Sequence, residues 1–216
     1  KTPLTSISGY AEIIREGMVK SEDVGRFAGK IYEEAQRLIT LVEDILNLSH
    51  LDEGAPGQER RQGIDLYALC ERAVASLAEA ARQRGIAISL TGSRQRVDGA
   101  EKLLAEIIFN LCDNAIKYNQ ENGHVAVSVT REGDRVVLTV QDTGIGIPPG
   151  ETDRVFERFY RVDKSHSKEI GGTGLGLSIV KHAAAYHDAK IQLDSQLGRG
   201  TRVRVLFPLS QREAQP

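Results

Sequence analysis

A glycine-rich segment near the end of the chain has the composition of a phosphate-binding loop. Residues 171–176 read Gly-Gly-Thr-Gly-Leu-Gly, and an apolar helical run follows to about Ala185. Glycine lets backbone N–H groups approach an anion closely, and a helix N-terminus adds partial positive charge. The spacing fits neither a Walker loop nor a dinucleotide-binding fingerprint. The segment alone therefore predicts either a phosphate site or an ordinary flexible loop before a helix.

A predicted helix upstream carries three polar residues on one face. Asn110, Asn114 and Lys117 are spaced four and three residues apart, which aligns their side chains along the helix. Carboxamide oxygens suit a Mg²⁺ ion that keeps most of its waters and contacts nucleotide phosphates. A lysine can meet the same phosphates as a point charge. A solvated polar face without any ligand is the alternative interpretation.

Two further stretches lie between this helix and the glycine loop. Asp142, Gly144 and Gly146 follow a predicted strand, so a carboxylate could accept from an exocyclic amine while a flat base lies on bare backbone. A plain β-turn is the alternative there. Residues 156–161, Phe-Glu-Arg-Phe-Tyr-Arg, precede a polar run over 165–170. They indicate a hinge leading into a mobile lid, or a simple surface helix.

Composition removes several classes of function. The 216 residues hold 28 Lys and Arg against 30 Asp and Glu, with no basic stripe, so nucleic acid is not an expected partner. The apolar runs are far shorter than the 18 or more residues of a membrane span, and no signal peptide is expected. Cys70 and Cys112 lie in apolar helical stretches and are predicted to be buried thiols in a reducing compartment. The histidines show no spacing typical of metal ligands.

The first 53 residues are predicted to form a helical hairpin. Apolar residues recur at three- and four-residue spacing in both arms, and in the second arm the apolar stripe is wide. Two arms cannot bury such a face between themselves, which favours a four-helix bundle made by two copies, hence a homodimer. A hairpin that packs on the chain's own second domain is the alternative. Residues 54–63 lack apolar periodicity and are predicted to be a linker.

Residues 64–210 are predicted to form the second domain, and 211–216 a polar tail. Helices are expected over 66–84 and 99–118 and after the glycine loop. Strands are expected over 86–90, 125–129, 135–140, 190–194 and 202–207. The grouping of helices and antiparallel strands predicts an α/β sandwich, a mainly antiparallel mixed sheet with helices on one face. With its helical hairpin the whole chain is of the α+β class.

Together and in this order, the motifs resemble the N, G1, F and G2 boxes of two-component sensor histidine kinases. They read Asn110-x-x-x-Asn114-x-x-Lys117-Tyr118, Asp142-x-Gly144-x-Gly146, Phe156-x-x-Phe159-Tyr160-Arg161 and Gly172-x-Gly174-x-Gly176. The opening Lys1-Thr2-Pro3-Leu4-Thr5 resembles the second half of the H box. The resemblance covers essentially the whole chain. It implies that ATP·Mg²⁺ gives its γ-phosphoryl group to a histidine and then to an aspartate of a response regulator.

The resemblance also implies a role for each matching residue. At the phosphate end, Asn110 and Asn114 would serve Mg²⁺ and phosphate with Asn110 the nearer metal ligand, Lys117 and Arg161 would contact phosphates, and Gly172, Thr173, Gly174, Leu175 and Gly176 would line the triphosphate. At the base end, Asp142 would receive the adenine amino group, Gly144 and Gly146 would lie beneath the base, Tyr118 would pack on the nucleotide and Thr201 would lie near the adenine. Thr2 would help to position water for dephosphorylation of the regulator.

The phosphoacceptor histidine and its acidic neighbour would, by the same resemblance, lie just ahead of Lys1. We therefore expect a segment of a longer bacterial kinase, whose upstream part holds a sensor and membrane spans and whose catalytic core is cytoplasmic. Two other functions stay open. One is a regulator-binding phosphatase or scaffold in which nucleotide only sets conformation. The other is a relative of the gyrase and heat-shock chaperone ATPases. Against it stand the helical hairpin and the lack of an obvious catalytic glutamate, since Glu106 lies one turn before Asn110.

Overall fold

The structure is a computed structural model that describes residues 3–52, 61–162 and 172–210. The chain divides into two compact units, residues 1–47 and 48–216. The first unit is helical: α1 covers Pro3–Arg15, a 3-10 turn covers Ser21–Asp23, and α2 covers Val24–Asp52 and so continues past residue 47. The predicted helical hairpin is thereby confirmed.

An aromatic contact joins the two helices of the first unit. The ring of Tyr10 in α1 meets the ring of Phe27 in α2 edge-on, with centroids 5.7 Å apart, and Lys30 Nζ lies 5.6 Å from the Tyr10 ring centroid. Gly17 ends the first arm with a φ of +67°, a conformation that favours glycine. No residue of α1 is buried. Several large apolar side chains of this unit are exposed: Leu4, Met18, Val24, Tyr32, Ile39, Val42, Ile45 and Leu46.

The second unit mixes helices and strands. In chain order its described elements are β1 Arg61–Asp65, α3 Leu66–Gln83, β2 Ala87–Gly92, β3 Arg96–Gly99, α4 Glu101–Lys117, β4 His124–Glu132, β5 Arg135–Asp142, a 3-10 turn Arg154–Phe156, α5 Gly176–Tyr186, β6 Lys190–Gln196 and β7 Gly200–Pro208. Five strands form one sheet in the order β2-β4-β5-β7-β6. The β2–β4 pair is parallel and the other pairs are antiparallel, so the predicted mixed, mainly antiparallel sheet is confirmed.

The core lies between one face of this sheet and the helices. Val125, Val127 and Val129 alternate with more exposed residues along β4 and are fully buried. The helices contribute fully buried side chains such as Leu66, Leu104, Ile107, Ile108 and Val180. Burial of each such side chain stabilises the fold by roughly 1.5–3 kcal/mol relative to exposure. The opposite sheet face is polar, as in the pairing of Arg204 with Glu132 and Gln192.

Two short strands were not predicted. β1 pairs with β3 antiparallel, so a strand occupies the last three residues of the predicted linker. The amide of Gly63, at φ +69°, donates to Asp98 Oδ1 at 2.8 Å and helps to hold this irregular pair together. Gly99 ends β3 instead of starting α4, because the next amide, Ala100 N–H, donates to the buried His187 Nε2 at 3.1 Å. Thr2, most of the linker and the predicted tail lie outside the described residues.

Across residues 3–52, 61–162 and 172–210, none of the helices combines the length and hydropathy that a membrane crossing requires. Within the same ranges no group of three or more His, Cys, Asp or Glu side chains could hold a metal, and no residue forms a cis peptide bond. Cys70 and Cys112 are free and fully buried, as predicted, and burial raises the pKa of Cys112 to about 12.

Candidate functional site

The asparagines of α4 meet the first residue of α5. The Asn110 amide nitrogen donates to the carbonyl of Glu106 at 2.9 Å, so the amide is oriented with Oδ1 on its other side. Asn110 Oδ1 lies only 2.8 Å from where a Cβ on Gly176 would be, and Asn114 Nδ2 lies 3.6 Å from the same point. The structure therefore brings the predicted polar face and the predicted glycine loop together.

The other side of the glycine loop packs against Phe159, in the segment 156–161. Phe159 has a φ of +62°, unusual for an aromatic residue, and its N–H donates to the carbonyl of Gly174 at 3.0 Å. Gly174 itself has a φ of +77°, and a Cβ there would lie 3.0 Å from the Phe159 backbone. Leu175 is fully buried and its N–H donates to Thr173 Oγ1 at 3.3 Å. This packing orients the start of α5.

Tyr118 connects α4 to both loops. Its carbonyl accepts the N–H of Ile145 at 3.0 Å, and its hydroxyl oxygen lies 3.0 Å from where a Cβ on Gly172 would be. Next to it, Lys117 Nζ makes a half-buried ion pair with Asp113 Oδ2 at 2.6 Å. The i,i+4 spacing on a helix explains the pair.

Asp142, at the end of β5, carries an oriented carboxylate. Its Oδ1 accepts the N–H of Gly144 at 2.8 Å and the N–H of Thr201 at 3.1 Å. Burial raises the pKa of Asp142 above that of an ordinary aspartate, and the two amide hydrogen bonds lower it in part. Among the described residues no donor reaches Oδ2, so this oxygen is available to a ligand.

The loop after β5 and the β6–β7 turn, which surround Asp142, contact each other through their backbones. Gly146 has a φ of +68°, and a Cβ there would lie 2.1 Å from the carbonyl oxygen of Gln196. Gly200 has a φ of +102°, and its Cβ would lie 2.1 Å from the carbonyl oxygen of Asp142. The carbonyl of Ile145 accepts the N–H of Gly198 at 2.7 Å. Only glycine permits these approaches, so the β5 loop and the β6–β7 turn form one rigid edge.

Arg161 is the last residue of the segment 156–161, and two of its side-chain nitrogens are buried. Its Nε and one terminal nitrogen are fully buried and have no hydrogen-bond partner among the residues that the structure describes. The carbonyl oxygen of Tyr160, the residue before Arg161, lies 3.2 Å from where a Cβ on Gly174 would be. The backbone next to Arg161 therefore lies against the glycine loop. Buried guanidinium nitrogens that lack an acceptor are costly, so an anion that reached these two nitrogens would be stabilised.

Family models match both units. The one described as "Histidine kinase-, DNA gyrase B-, and HSP90-like ATPase" matches residues 99–211, and the one described as "His Kinase A (phospho-acceptor) domain" matches residues 1–54. The chain belongs to the two-component sensor histidine kinases. Since the first of these models is one of ATPases, ATP is the nucleotide that this domain uses.

Known histidine kinases resemble the chain over nearly its whole length. The sensor-like histidine kinase SenX3 of Mycolicibacterium smegmatis is 38% identical over 209 residues, 96% of this chain and 54% of that protein. The chain thus spans about half the length of this curated relative. The structure of Acinetobacter baumannii histidine kinase AdeS matches with a TM-score of 0.79 at 22% identity, covering 96% of this chain and 95% of that one. Histidine kinase ThkA in complex with response regulator protein TrrA matches with a TM-score of 0.75 at 21% identity, covering 98% and 59%. The last two likenesses show the shared fold.

In this member of the family the structure brings together nearly all the residues singled out from sequence. Thr2 and residues 163–171 lie outside the described part of the chain. The structure adds two polar residues that the motifs did not indicate. Ser195 Oγ accepts the N–H of Ile147 at 2.8 Å and makes a 2.8 Å hydrogen bond with Thr201 Oγ1. Asn119 bonds to Thr143 Oγ1 at 3.2 Å. A serine in a strand and an asparagine after a helix are too common for sequence alone to single them out.

Proposed function

We propose that the chain is the catalytic core of a sensor histidine kinase. It binds ATP·Mg²⁺ and transfers the γ-phosphoryl group to the histidine that the family resemblance places ahead of Lys1, and then to an aspartate of a response regulator. Because the reaction consumes ATP, the core works in the cytoplasm of a bacterial sensor. The observation that carries the proposal is the pairing of two groups. An oriented, half-buried carboxylate lies at one end of the site, and at the other lies an arginine with two buried nitrogens that have no hydrogen-bond partner among the described residues.

The base end of the site suits adenine. Two backbone amides occupy Asp142 Oδ1, which turns Oδ2 towards a ligand that can donate a hydrogen bond. The exocyclic amine of adenine is such a donor, whereas a carbonyl oxygen at the same ring position would meet the carboxylate with like charge. Gly144 and Gly146 present backbone without side chains beneath the base. Tyr118 would pack on the nucleotide, and Thr201 would lie at the edge of the adenine.

The phosphate end of the site suits a charged triphosphate. Gly172, Thr173, Gly174, Leu175 and Gly176 would line it, with the start of α5 supplying partial positive charge. The buried nitrogens of Arg161 would gain the acceptor that they lack among the described residues. Lys117 would contact phosphate while keeping Asp113 as a neighbour, which holds its ammonium in place.

A magnesium ion fits the asparagine pair. With its amide nitrogen bonded to Glu106, Asn110 has its carboxamide oxygen as the free ligand atom, and Asn114 lies one turn further along the same face. Such oxygens suit an ion that keeps several waters and leans on phosphates. When bound, Mg²⁺ would neutralise charge on the phosphate oxygens. The residues themselves hold the triphosphate in place, and most of the catalysis would come from this positioning and from charge neutralisation.

A test of this proposal is calorimetric titration of the chain with a non-hydrolysable ATP analogue, with and without Mg²⁺. We expect binding in both conditions and tighter binding with Mg²⁺. No binding in either condition would contradict the proposal and favour a scaffold whose motifs are present but do not form a site.

The affinity for ATP is expected to depend on pH through Asp142. The adenine amine donates to the ionised carboxylate, so affinity falls as pH falls, and the raised pKa moves this loss above the range of an ordinary aspartate, whose pKa is about 3.9. The contribution of Asp142 to the stability of the free fold has the opposite sign. It is present at low pH and is lost as pH rises through the raised pKa.

The measurement is the ratio of ATP to ITP affinity between about pH 7 and pH 4.5, a window set by the direction of the Asp142 shift from its usual value. ITP carries a carbonyl oxygen in place of the amine, and its phosphates titrate like those of ATP, so their protonation cancels in the ratio. The ratio is expected to fall with decreasing pH. A ratio that stays constant over this window would contradict the role given to Asp142.

The first unit is proposed to dimerise with a second copy. Ile39, Val42, Ile45 and Leu46 form an exposed apolar stripe on α2, each between 43% and 55% exposed. Val42→Glu places a charge in that stripe and is expected to convert the dimer to monomer, as measured by sedimentation equilibrium. Gln36→Glu, at an exposed polar position on the same helix, is the matched control and should leave the dimer intact. A monomeric parent chain, or a dimer that Val42→Glu does not weaken, would contradict the proposal.

Dephosphorylation of the regulator is the second activity proposed. It rests on the family resemblance of Thr2, which lies outside the described residues.

A further inference from the structure

The side chain of Asn119, the second residue after α4, uses its full hydrogen-bonding capacity. Its Nδ2 donates to the carbonyls of Ala115 at 3.0 Å and His124 at 3.2 Å. Its Oδ1 accepts the N–H of Gln120 at 3.0 Å and the hydroxyl of Thr143 at 3.2 Å. A carboxamide has two donor hydrogens and two acceptor lone pairs, so all four are used and no further partner is needed.

These four partners link three separate elements. Ala115 belongs to the last turns of α4, His124 begins β4, and Thr143 follows Asp142 at the end of β5. Thr143 is held twice more: its N–H donates to the carbonyl of His124 at 3.1 Å, and its hydroxyl accepts the N–H of His124 at 2.9 Å. Asn119, His124 and Thr143 therefore form a closed cycle of hydrogen bonds. One member of this cycle, Thr143, separates Asp142 from Gly144 in the chain.

Close packing leaves this cycle little room to move. A Cβ on Gly144 would lie 2.2 Å from the carbonyl oxygen of Tyr118 and 2.9 Å from the Cα of Asn119. A Cβ on Gly123 would lie 2.1 Å from Asn119 Oδ1. The loop after β5 is thus pressed against the end of α4. Asn119 bonds to both segments, and Gln120 Nε2 also donates to the carbonyl of Gly144 at 3.3 Å.

We propose that Asn119 is a positioning residue that sets the specificity of this site for adenine. It does not touch the base. By holding Thr143, it fixes the direction in which the neighbouring Asp142 presents Oδ2, and by bonding Ala115 it keeps the α4 terminus with Tyr118 in register. The inference rests on the proposed function, in which Asp142 receives the adenine amine.

The test compares ATP and ITP, which differ at the C6 position that faces Asp142 (an amine in ATP, a carbonyl oxygen in ITP) and in the hydrogen that ITP carries on the neighbouring ring nitrogen. Dissociation constants are measured by calorimetry for the 216-residue chain and for Asn119→Ala. We expect ATP affinity to fall roughly five- to tenfold, the factor given by the loss of about one net hydrogen bond, and ITP affinity to stay the same. A residue that only supported the fold would weaken both nucleotides equally or lower the melting temperature without changing their ratio.

Three further variants and one control keep the test decisive. Thr143→Val removes the hydroxyl from the cycle and is expected to lower the ratio of ATP to ITP affinity by a similar factor. This variant tests the inference even if Asn119→Ala fails to fold. The double variant should add little to either single change, because both act on one cycle. Asn119→Asp should not restore the ratio, because a carboxylate oxygen would replace the donor that faces two carbonyls. Gln192→Ala, an amide on the polar sheet face, is the matched control with an unchanged ratio.

Each result bears on the inference in a definite way. An unchanged ratio in both Asn119→Ala and Thr143→Val, with the parent chain preferring ATP, would overturn the positioning role and leave the proposed function standing. Equal losses for ATP and ITP would also overturn it. A parent chain that binds neither nucleotide, or binds both alike, would contradict the proposed function itself and the inference with it.

Discussion

Replacing Asp142 with asparagine is expected to lower the affinity of the chain for ATP by roughly a hundredfold, the range set by loss of a hydrogen bond to a charged group. The expectation follows from the two amides that donate to Oδ1. An asparagine would keep its oxygen there, because only an oxygen can accept those bonds. Its amide nitrogen would then occupy the place of Oδ2 and meet the adenine amine donor to donor.

Asp134→Asn is the matched control for this change. Asp134 lies in the turn between β4 and β5 with an 89% exposed side chain, so the same loss of charge should leave ATP affinity unaltered. Calorimetric titration of the parent chain and both variants provides the comparison. If Asp142→Asn bound ATP as tightly as the parent, the role given to Asp142 would have to be abandoned.

Gly176→Ala is expected to remove most of the gain in ATP affinity that Mg²⁺ provides. We expect the ATP affinity measured with Mg²⁺ to fall roughly a hundredfold, the factor that follows from loss of a charge-assisted contact. The new Cβ would lie 2.8 Å from Asn110 Oδ1, too close for contact. The asparagine side chain is the part that can yield, so the proposed metal ligand would move out of place. Gly176 begins α5 without a positive φ, so alanine introduces no backbone strain and the fold should keep its stability.

Gly25→Ala tests whether the effect belongs to the site. Gly25 lies in α2, and a Cβ there would meet nothing within 4 Å. ATP affinity with and without Mg²⁺ and the melting temperature are measured for both variants. An unchanged response to Mg²⁺ in Gly176→Ala would mean that Asn110 is not the nearer metal ligand. A lower melting temperature in Gly176→Ala alone would point to a folding defect instead.

Much of the fold could be predicted because its signals are local. The polar and apolar faces of α4 repeat with the helical period, and alternation along β4 and β5 marks a sheet covered on one side. The β1–β3 pair could not be predicted in the same way. Its strands are short and lack alternation, and they form because residues 35 apart, such as Gly63 and Asp98, meet in space. The parallel pairing of β2 with β4 depends on the same kind of distant contact.

The candidate site, like the fold, could be predicted from the sequence only in part. Asp142, Gly146 and Gly174 could be singled out because a carboxylate at a strand end and glycines at fixed spacing have few explanations. The hydrogen-bond partners of those residues could not be predicted. Asn119 reaches Thr143 across 24 positions, and Ser195 reaches Ile147 across 48, and neither distance leaves a pattern in the sequence.

The measurement that tests the central claim most directly is transfer of label from γ-labelled ATP to protein. It uses the natural protein with its residues ahead of Lys1 included, in the presence of Mg²⁺. The account predicts label on the protein that is lost in acid and kept in alkali, as expected of a phosphohistidine, and that passes to an aspartate of a response regulator. Steady hydrolysis of ATP with no labelled protein would contradict it and point to a simple ATPase of the same fold.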